Sequence, residues 1–218
     1  MNNRIWIALV AALWLTWAGG RIAAQSTQQY PPAFPRDGST QLFDNDRVTA
    51  WDVVYPTHVR IAMHSHPYDY VGVEVGDSTR LAIDLEGQSR TITMRKGTAW
   101  FLTKGTTHAE EGTSDPPPHA IIIDLKETRS APAVNSSGAP AAFPRTGAKK
   151  LVDNARVTMW DYSWQPGEPA ATRLYENDTI EVVVDGDHPG QAIFQRGNQL
   201  HTEPATAAAV HAVFIELK

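Results

Sequence analysis

An internal repeat constrains this chain more than any other feature of its sequence. Residues 34–53 align with residues 143–162 at a constant offset of 109, and twelve of the twenty aligned residues are identical. The two copies also end alike, in HAIIIDLK at 119–126 and in HAVFIELK at 211–218. Repetition at a fixed period indicates one structural unit used twice. We therefore predict two domains of one fold, at 34–126 and 143–218, joined by a linker at 127–142 with little apolar bulk.

Within each copy, short β-type segments alternate with turns. Residues 47–55 are typical of a strand with Thr49, Trp51, Val53 and Tyr55 on one face, and the segments 81–85 and 99–103 both stop at glycine-containing turns. Outside the amino-terminal segment we find no helical periodicity. This pattern predicts an all-β protein built as a sandwich or a small barrel. The chain has no cysteine, so core packing alone must hold the fold.

The amino-terminal 24 residues differ from the rest of the chain. Arg4 precedes an apolar run at 5–18, and small residues follow at 22–24. This order is typical of a cleaved signal peptide, and the 14-residue run is shorter than the roughly 20 residues that a membrane span needs. We expect a mature protein that begins near Gln25, is exported to the periplasm or secreted, and has no membrane association after cleavage.

The charge balance bears on the class of partner. The formal net charge is −5 at pH 7. An acidic domain repels the phosphate backbone, which argues against a nucleic-acid partner. The oligomeric state cannot be read from the sequence.

Two histidines, His64 and His66, stand one residue apart in a strand-like segment. Side chains at i and i+2 of a strand point to the same face, so the two imidazoles can share one metal ion. The alternative is a pair of partly buried histidines with hydrogen-bonded rings. A second segment supplies a third imidazole, because His108 follows a strand that is bounded by Gly97 and Gly105.

These two segments resemble the two sequence motifs of the cupin superfamily. The first motif has the form G-x5-H-x-H-x3–4-E-x6-G, and it is matched by His64, His66 and Gly76, with His58 in place of the opening glycine. The second has the form G-x5-P-x-G-x2-H-x3-N, and it is matched by Gly97, Gly105 and His108, with Thr103 and Gly112 in place of proline and asparagine. The resemblance is full in the first copy and weak in the second.

The resemblance implies two double-stranded β-helix (jelly roll) barrels in tandem, with a mononuclear metal bound by His64, His66 and His108. The acidic ligand of the first motif is missing. Asp69 could serve as the fourth ligand if the loop is one residue shorter; otherwise Tyr70 lines the pocket and three histidines remain. Three imidazoles suit Fe, Ni, Cu or Zn as divalent ions, and a carboxylate would widen the choice to Mn.

Other residues near these motifs are candidates for the wall of the pocket. We expect Tyr68, Tyr70 and Trp100 to line it, although aromatic residues on barrel strands are more often core. Glu110 and Glu111 follow His108 directly. We interpret them as a solvated loop pair, with the alternative that one of them orients an imidazole.

The second copy has lost the histidine pair. At the offset of 109, Arg173 and Tyr175 stand where the first copy has His64 and His66, and His201 can take the place of His108. An arginine cannot ligate a metal. We predict a degenerate barrel that packs against the first, with the alternative that Arg173, Tyr175 and His201 form a separate pocket for an anion or another small ligand.

Two functions from different classes fit this reading. The first is a metal-dependent enzyme of the oxygenase or isomerase type acting on a small molecule, both chemistries being implied by the resemblance to cupins. The second is a non-catalytic module that binds a metal or a small polar ligand. The fold does not choose between them.

Overall fold

The computed structural model describes residues 29–127 and 138–218, so the predicted signal segment and most of the predicted linker lie outside the described residues. The described residues form sixteen β-strands and no helix. None of them therefore belongs to a helix that could cross a membrane. The predicted all-β fold is confirmed.

Nine strands make the first barrel. They are β1 (Ser39–Asp44), β2 (Val48–Val54), β3 (Arg60–Ser65), β4 (Asp69–Glu74), β5 (Ser78–Ile83), β6 (Ser89–Met94), β7 (Ala99–Leu102), β8 (Thr107–Gly112) and β9 (His119–Leu125). They pair antiparallel in two sheets, in the orders β1-β2-β9-β4-β7 and β3-β8-β5-β6. Two facing sheets with this crossed connectivity form a jelly roll.

Seven strands make the second barrel. They are β10 (Lys149–Asp153), β11 (Val157–Trp164), β12 (Ala171–Tyr175), β13 (Thr179–Asp185), β14 (Ala192–Gln195), β15 (Gln199–Glu203) and β16 (Val210–Leu217). The larger sheet has the order β10-β11-β16-β13-β14, which repeats that of the first barrel, while the second sheet contains only β12 and β15. No described element corresponds to the hairpin β5–β6. The missing hairpin explains why the offset between the copies falls from 109 at their starts to 92 at their ends.

The two five-stranded sheets pack against each other and bury a shared core between the barrels. On β9, Ile121 and Ile123 face this core while Ile122 faces the inside of the first barrel. On β16, Val213 and Ile215 face the same core while Phe214 faces into the second barrel. Both faces of these strands are buried, which is why they are continuous apolar runs in the sequence rather than alternating ones. The two copies thus form tandem barrels joined back to back, as the sequence predicts.

Two equivalent ion pairs join the two barrels. Asp69 Oδ2 lies 3.2 Å from Arg156 Nη1, and Asp178 Oδ2 lies 3.0 Å from Arg47 Nε. Each pair joins the start of the fourth strand of one copy to the turn before the second strand of the other, and the partners are related by the offset of 109. The repeat therefore appears in three dimensions as an approximate twofold relation between the barrels.

Candidate metal centre

Two neighbouring strands bring the three predicted histidines together inside the first barrel. β3 pairs antiparallel with β8, and His64 is the register partner of His108. His66 follows the end of β3 and points to the same side as His64, as the i, i+2 spacing predicts. One ring nitrogen from each histidine lies within 4.8 Å of the others, so the three could hold one metal ion.

The three imidazoles are uncharged at neutral pH. Burial lowers the pKa of His64, His66 and His108; burial is also the main reason why the pKa of His66 falls to about 2, and its two neighbouring imidazoles contribute less. His64 Nδ1 lies 2.9 Å from the carbonyl oxygen of Ala62 and must donate to it, which leaves the lone pair on Nε2. A neutral imidazole with a free lone pair is the form that binds a metal.

Two of the ring nitrogens lack a hydrogen-bond partner within the described part of the chain. His66 Nδ1 and His108 Nε2 are buried and have no hydrogen-bond partner there. A buried polar atom without a partner costs free energy unless something satisfies it. Coordination of a metal would do so, and the donor set therefore fits the metal that the resemblance implies.

Aromatic side chains form one wall of the cavity beside these histidines. Tyr70 is fully buried and stacks on His66 with ring centroids 3.7 Å apart and an angle of 6° between the ring planes. Trp100 meets Tyr70 edge to face. The cavity has a volume of about 230 Å³, and both residues line it, as predicted. Tyr68 was also predicted to line it and does not.

Gly72 is required by this wall. A Cβ atom at position 72 would lie 2.1 Å from a ring carbon of Trp100, which is closer than real Cβ atoms approach. The indole therefore lies directly over the backbone of β4. Glycine at this position follows from the packing of the cavity, not from a turn.

The structure does not place Asp69 in the cluster, which corrects the suggestion that it could be a fourth ligand. Its Oδ1 accepts a hydrogen bond from the backbone N–H of Lys104, and its Oδ2 pairs with Arg156 of the second barrel. Because strand residues alternate between faces, Tyr70 and not Asp69 shares the inner face of β4 with Gly72. The first residue after the histidine pair on the inner face of β4 is thus an aromatic residue, Tyr70.

A buried carboxylate on β8, the strand of His108, reaches the cluster. Glu110 is buried in the first barrel, with Oε2 3.7 Å from His108 Nε2 and Oε1 3.5 Å from Arg80 Nε. It is not part of a solvated loop pair, which was the interpretation of the sequence. His108 and Glu110 are two residues apart on β8 and so share its inner face. The spacing of two residues between His108 and Glu110 was the sequence feature that could have predicted the position of Glu110.

Arg80 and Glu74 complete a buried charge network that the sequence did not reveal. Arg80 Nη1 donates to Glu74 Oε1 at 3.0 Å, and Ser78 Oγ donates to Glu74 Oε2. Although burial opposes its charge, the neighbouring Tyr55 and the two glutamates hold the pKa of Arg80 above its usual value. Arg80 therefore stays charged and fixes Glu110 beside the cluster.

The second barrel contains no equivalent cluster among its described residues. Arg173 is the register partner of His201, as His64 is of His108. Tyr175 donates to Glu203 Oε1 at 2.9 Å, and Arg173 Nε lies 3.7 Å from Glu203 Oε2. Arg173 and Tyr175 therefore satisfy Glu203, the counterpart of Glu110, and His201 alone of the three lines a cavity.

Comparisons with known proteins agree with this architecture. No protein-family model matches the sequence, and no curated protein matches it either. Among solved structures, AerE from Microcystis aeruginosa is similar over 87% of this chain and 99% of its own, with a TM-score of 0.52 and 9% identity. This likeness shows the fold alone.

Two further similar structures are named as cupin proteins. A cupin domain from Bordetella pertussis Tohama I covers 45% of this chain and 98% of its own, with 26% identity and a TM-score of 0.39. A cupin 2 conserved barrel domain protein from Leptotrichia buccalis covers 83% and 88%, with 15% identity and a TM-score of 0.46. The described residues of this chain form two jelly-roll barrels in tandem, and the first barrel carries a cluster of three histidines.

Proposed function

We propose that the first barrel binds one divalent transition-metal ion through His64, His66 and His108. The observation that carries this proposal is the convergence of three uncharged imidazoles, two of them buried and that of His108 partly buried, on one side of a cavity. Three nitrogen donors suit Fe(II), Ni(II), Cu(II) or Zn(II), and Glu110 is the carboxylate near enough to extend the range toward Mn(II).

A cobalt titration of the metal-free protein tests this assignment. Co(II) gives ligand-field absorption that reports its coordination. We expect saturation at one ion per chain in the wild type and no saturable signal in His64→Ala/His66→Ala. Equal titration curves for the two proteins would refute the assignment.

The partner of this site is a small molecule that enters the cavity. A bound metal can act there as a Lewis acid or a redox centre. Glu110, held by Arg80 and lying beside His108, is a hydrogen-bonding group that could position a substrate next to the ion. This carboxylate favours an enzyme of the oxygenase or isomerase type.

A non-catalytic module is the second candidate, and Tyr70 favours it. Its ring stacks on His66 on the flank where the first motif would supply a carboxylate ligand. Oxygen uptake by the metal-loaded protein with diketones, flavonols and thiols separates the candidates. Oxygen consumption that is lost in His108→Ala identifies an oxygenase. Absence of both oxygen consumption and chemical conversion of the panel compounds, together with metal-dependent binding of one of them, identifies a binding module.

We also propose that the protein is exported and acts without nucleic acid or membrane partners once its signal is removed. The support is the charge and hydropathy pattern of residues 1–24 and the net charge of −5. Expression of the full chain followed by amino-terminal sequencing of the extracytoplasmic fraction tests this proposal. We expect a mature terminus near Gln25, and an intact Met1 in the cytoplasm would contradict it.

A further inference from the structure

The second barrel encloses a cavity that the metal centre does not use. Its volume is about 400 Å³, against about 230 Å³ for the cavity of the first barrel. Cavities of this size hold drug-sized or smaller organic ligands. The larger volume of the cavity in the second barrel follows from two differences between the copies.

The first difference is the missing hairpin. In the first barrel, β5 and β6 cover the cavity and contribute Ile92 and Met94 to its lining. In the second, a short loop with Asp187 and His188 at the cavity edge replaces them. The second barrel is therefore wider at this end.

The second difference is an exchange of one residue pair. Gly72 pairs with Trp100 in the first barrel, and the corresponding register partners in the second are Glu181 and Ile193. The indole of Trp100 fills the space above Gly72. In the second barrel that ring is absent, and the carboxylate of Glu181 lines the open volume instead.

Two arginines of the second barrel, Arg145 and Arg173, share the carboxylate of Glu203. Arg145 Nη1 lies 2.7 Å from both carboxylate oxygens of Glu203, and Arg173 Nε lies 3.7 Å from one of them. Glu203 thus offsets part of the charge of both arginines. An anion at the pocket that the sequence suggested for Arg173, Tyr175 and His201 would have to compete with this carboxylate.

Glu181, in contrast, has no basic side chain within ion-pair distance among the described residues. Its Oε2 accepts a hydrogen bond from Gln195 Nε2 at 3.2 Å. Burial, with the nearby charge of Glu203 adding to it, raises the pKa of Glu181 to about 7. A half-buried carboxylate without a counter-ion is stabilised by any cation that can reach it.

We propose that the cavity of the second barrel binds a small organic cation, with an ammonium group at Glu181 and a hydrocarbon chain against Val183, Ile193 and Val210. These three side chains line the same cavity as the carboxylate, which gives it one charged end and one apolar wall. Asp187 at the cavity edge adds a second negative charge. The proposal is independent of the metal centre.

Calorimetric titration of the full-length protein with n-butylammonium tests the proposal, with butanoate and n-butanol as probes of equal chain length. We expect saturable binding of butylammonium, at least tenfold weaker binding of the other two, and at least tenfold weaker binding of butylammonium to Glu181→Gln. Glu86→Gln is the matched control, since Glu86 is an exposed acid of the first barrel. It should bind like the wild type.

A second variant tests the proposal independently, in case Glu181→Gln does not fold. Ile193→Trp places an indole at the position equivalent to Trp100 and should abolish binding by filling the cavity. Both variants should retain the circular dichroism spectrum of the wild type if they fold. Absence of saturable butylammonium binding by the wild type would overturn the proposal, as would unchanged binding to a folded Glu181→Gln or tighter binding of butanoate.

Discussion

The carboxylate of Asp69 lies 3.2 Å from the guanidinium of Arg156, across the boundary between the two barrels. Asp178 and Arg47 repeat this contact at 3.0 Å with the roles of the copies exchanged. The aspartate at the start of the fourth strand thus has an arginine partner from the other barrel in both copies. Among the described residues only the first copy has the histidine cluster. An ion pair that is present in both copies is therefore explained by the packing of the barrels and not by metal binding.

Replacement of Asp69 separates stability from metal binding. Asp69→Asn removes a partly buried ion pair, and we expect a loss of about 1–3 kcal/mol of unfolding free energy. Metal affinity should stay within twofold of the wild type, because Asp69 points away from the cluster. Urea denaturation and a cobalt titration measure the two quantities. Asp178→Asn is the matched control from the second barrel, and a tenfold loss of metal affinity in Asp69→Asn alone would restore Asp69 as a ligand.

Replacement of Glu110, unlike that of Asp69, should weaken metal binding. Glu110→Gln keeps the shape of the side chain but removes the charge beside His108, and we expect metal affinity to fall by about 10–100-fold. Competition between the protein and a chromophoric chelator for Co(II) gives the affinity. Glu111→Gln, one residue along on the other face of β8, serves as the control. Equal affinities in the two variants would show that Glu110 does not act on the site.

Much of this site follows from strand periodicity. The common face of His64 and His66 follows from spacing alone, whereas the recruitment of His108 as a third ligand is what the resemblance to the cupin motifs implies. Tyr70 and Trp100 were expected near the pocket as aromatic residues close to these motifs, and they line the cavity. The role of Glu110 needed the same i, i+2 rule, but its neighbour Glu111 made the pair look like a solvated loop.

The remaining features depend on tertiary packing that spacing does not encode. Asp69 lies one residue from the inner face, so a motif count cannot tell whether it points to the metal or to Arg156. The buried pair of Glu74 and Arg80 joins two strands whose contact is set by the barrel. The length difference between the copies was visible in the sequence, but only the sheet order locates it at the hairpin β5–β6.

Gly72→Ala tests the packing of the cavity wall. The added methyl group would overlap the indole of Trp100, so the ring must move or the strand must shift. We expect a loss of about 1–3 kcal/mol in unfolding free energy, as for other overpacked cores. Thermal denaturation measures it. Gly76→Ala has open space around the new methyl group and should change stability much less; equal losses in the two variants would contradict the packing described here.

Glu181 should make the stability of the second barrel depend on pH. Its pKa is raised from 4.5 to about 7 on folding, so the folded state holds more protons than the unfolded state between these values. Stability from this group is therefore present below about pH 4.5 and is lost as the pH rises toward 7. Glu181→Gln cannot ionise, and its stability relative to the wild type should increase by about 1–3 kcal/mol between pH 4 and pH 8. Urea denaturation at the two pH values gives the difference, and a constant difference would contradict a raised pKa.

Metal stoichiometry in a matched pair of histidine variants tests the central claim most directly. His108 and His201 occupy equivalent strand positions in the two barrels, but only His108 faces two other imidazoles. Equilibrium dialysis of metal-free protein against Zn(II), followed by elemental analysis, should give one ion per chain for the wild type and for His201→Ala. It should give close to none for His108→Ala. Equal zinc content in the two variants, or none in the wild type, would contradict a single metal site in the first barrel.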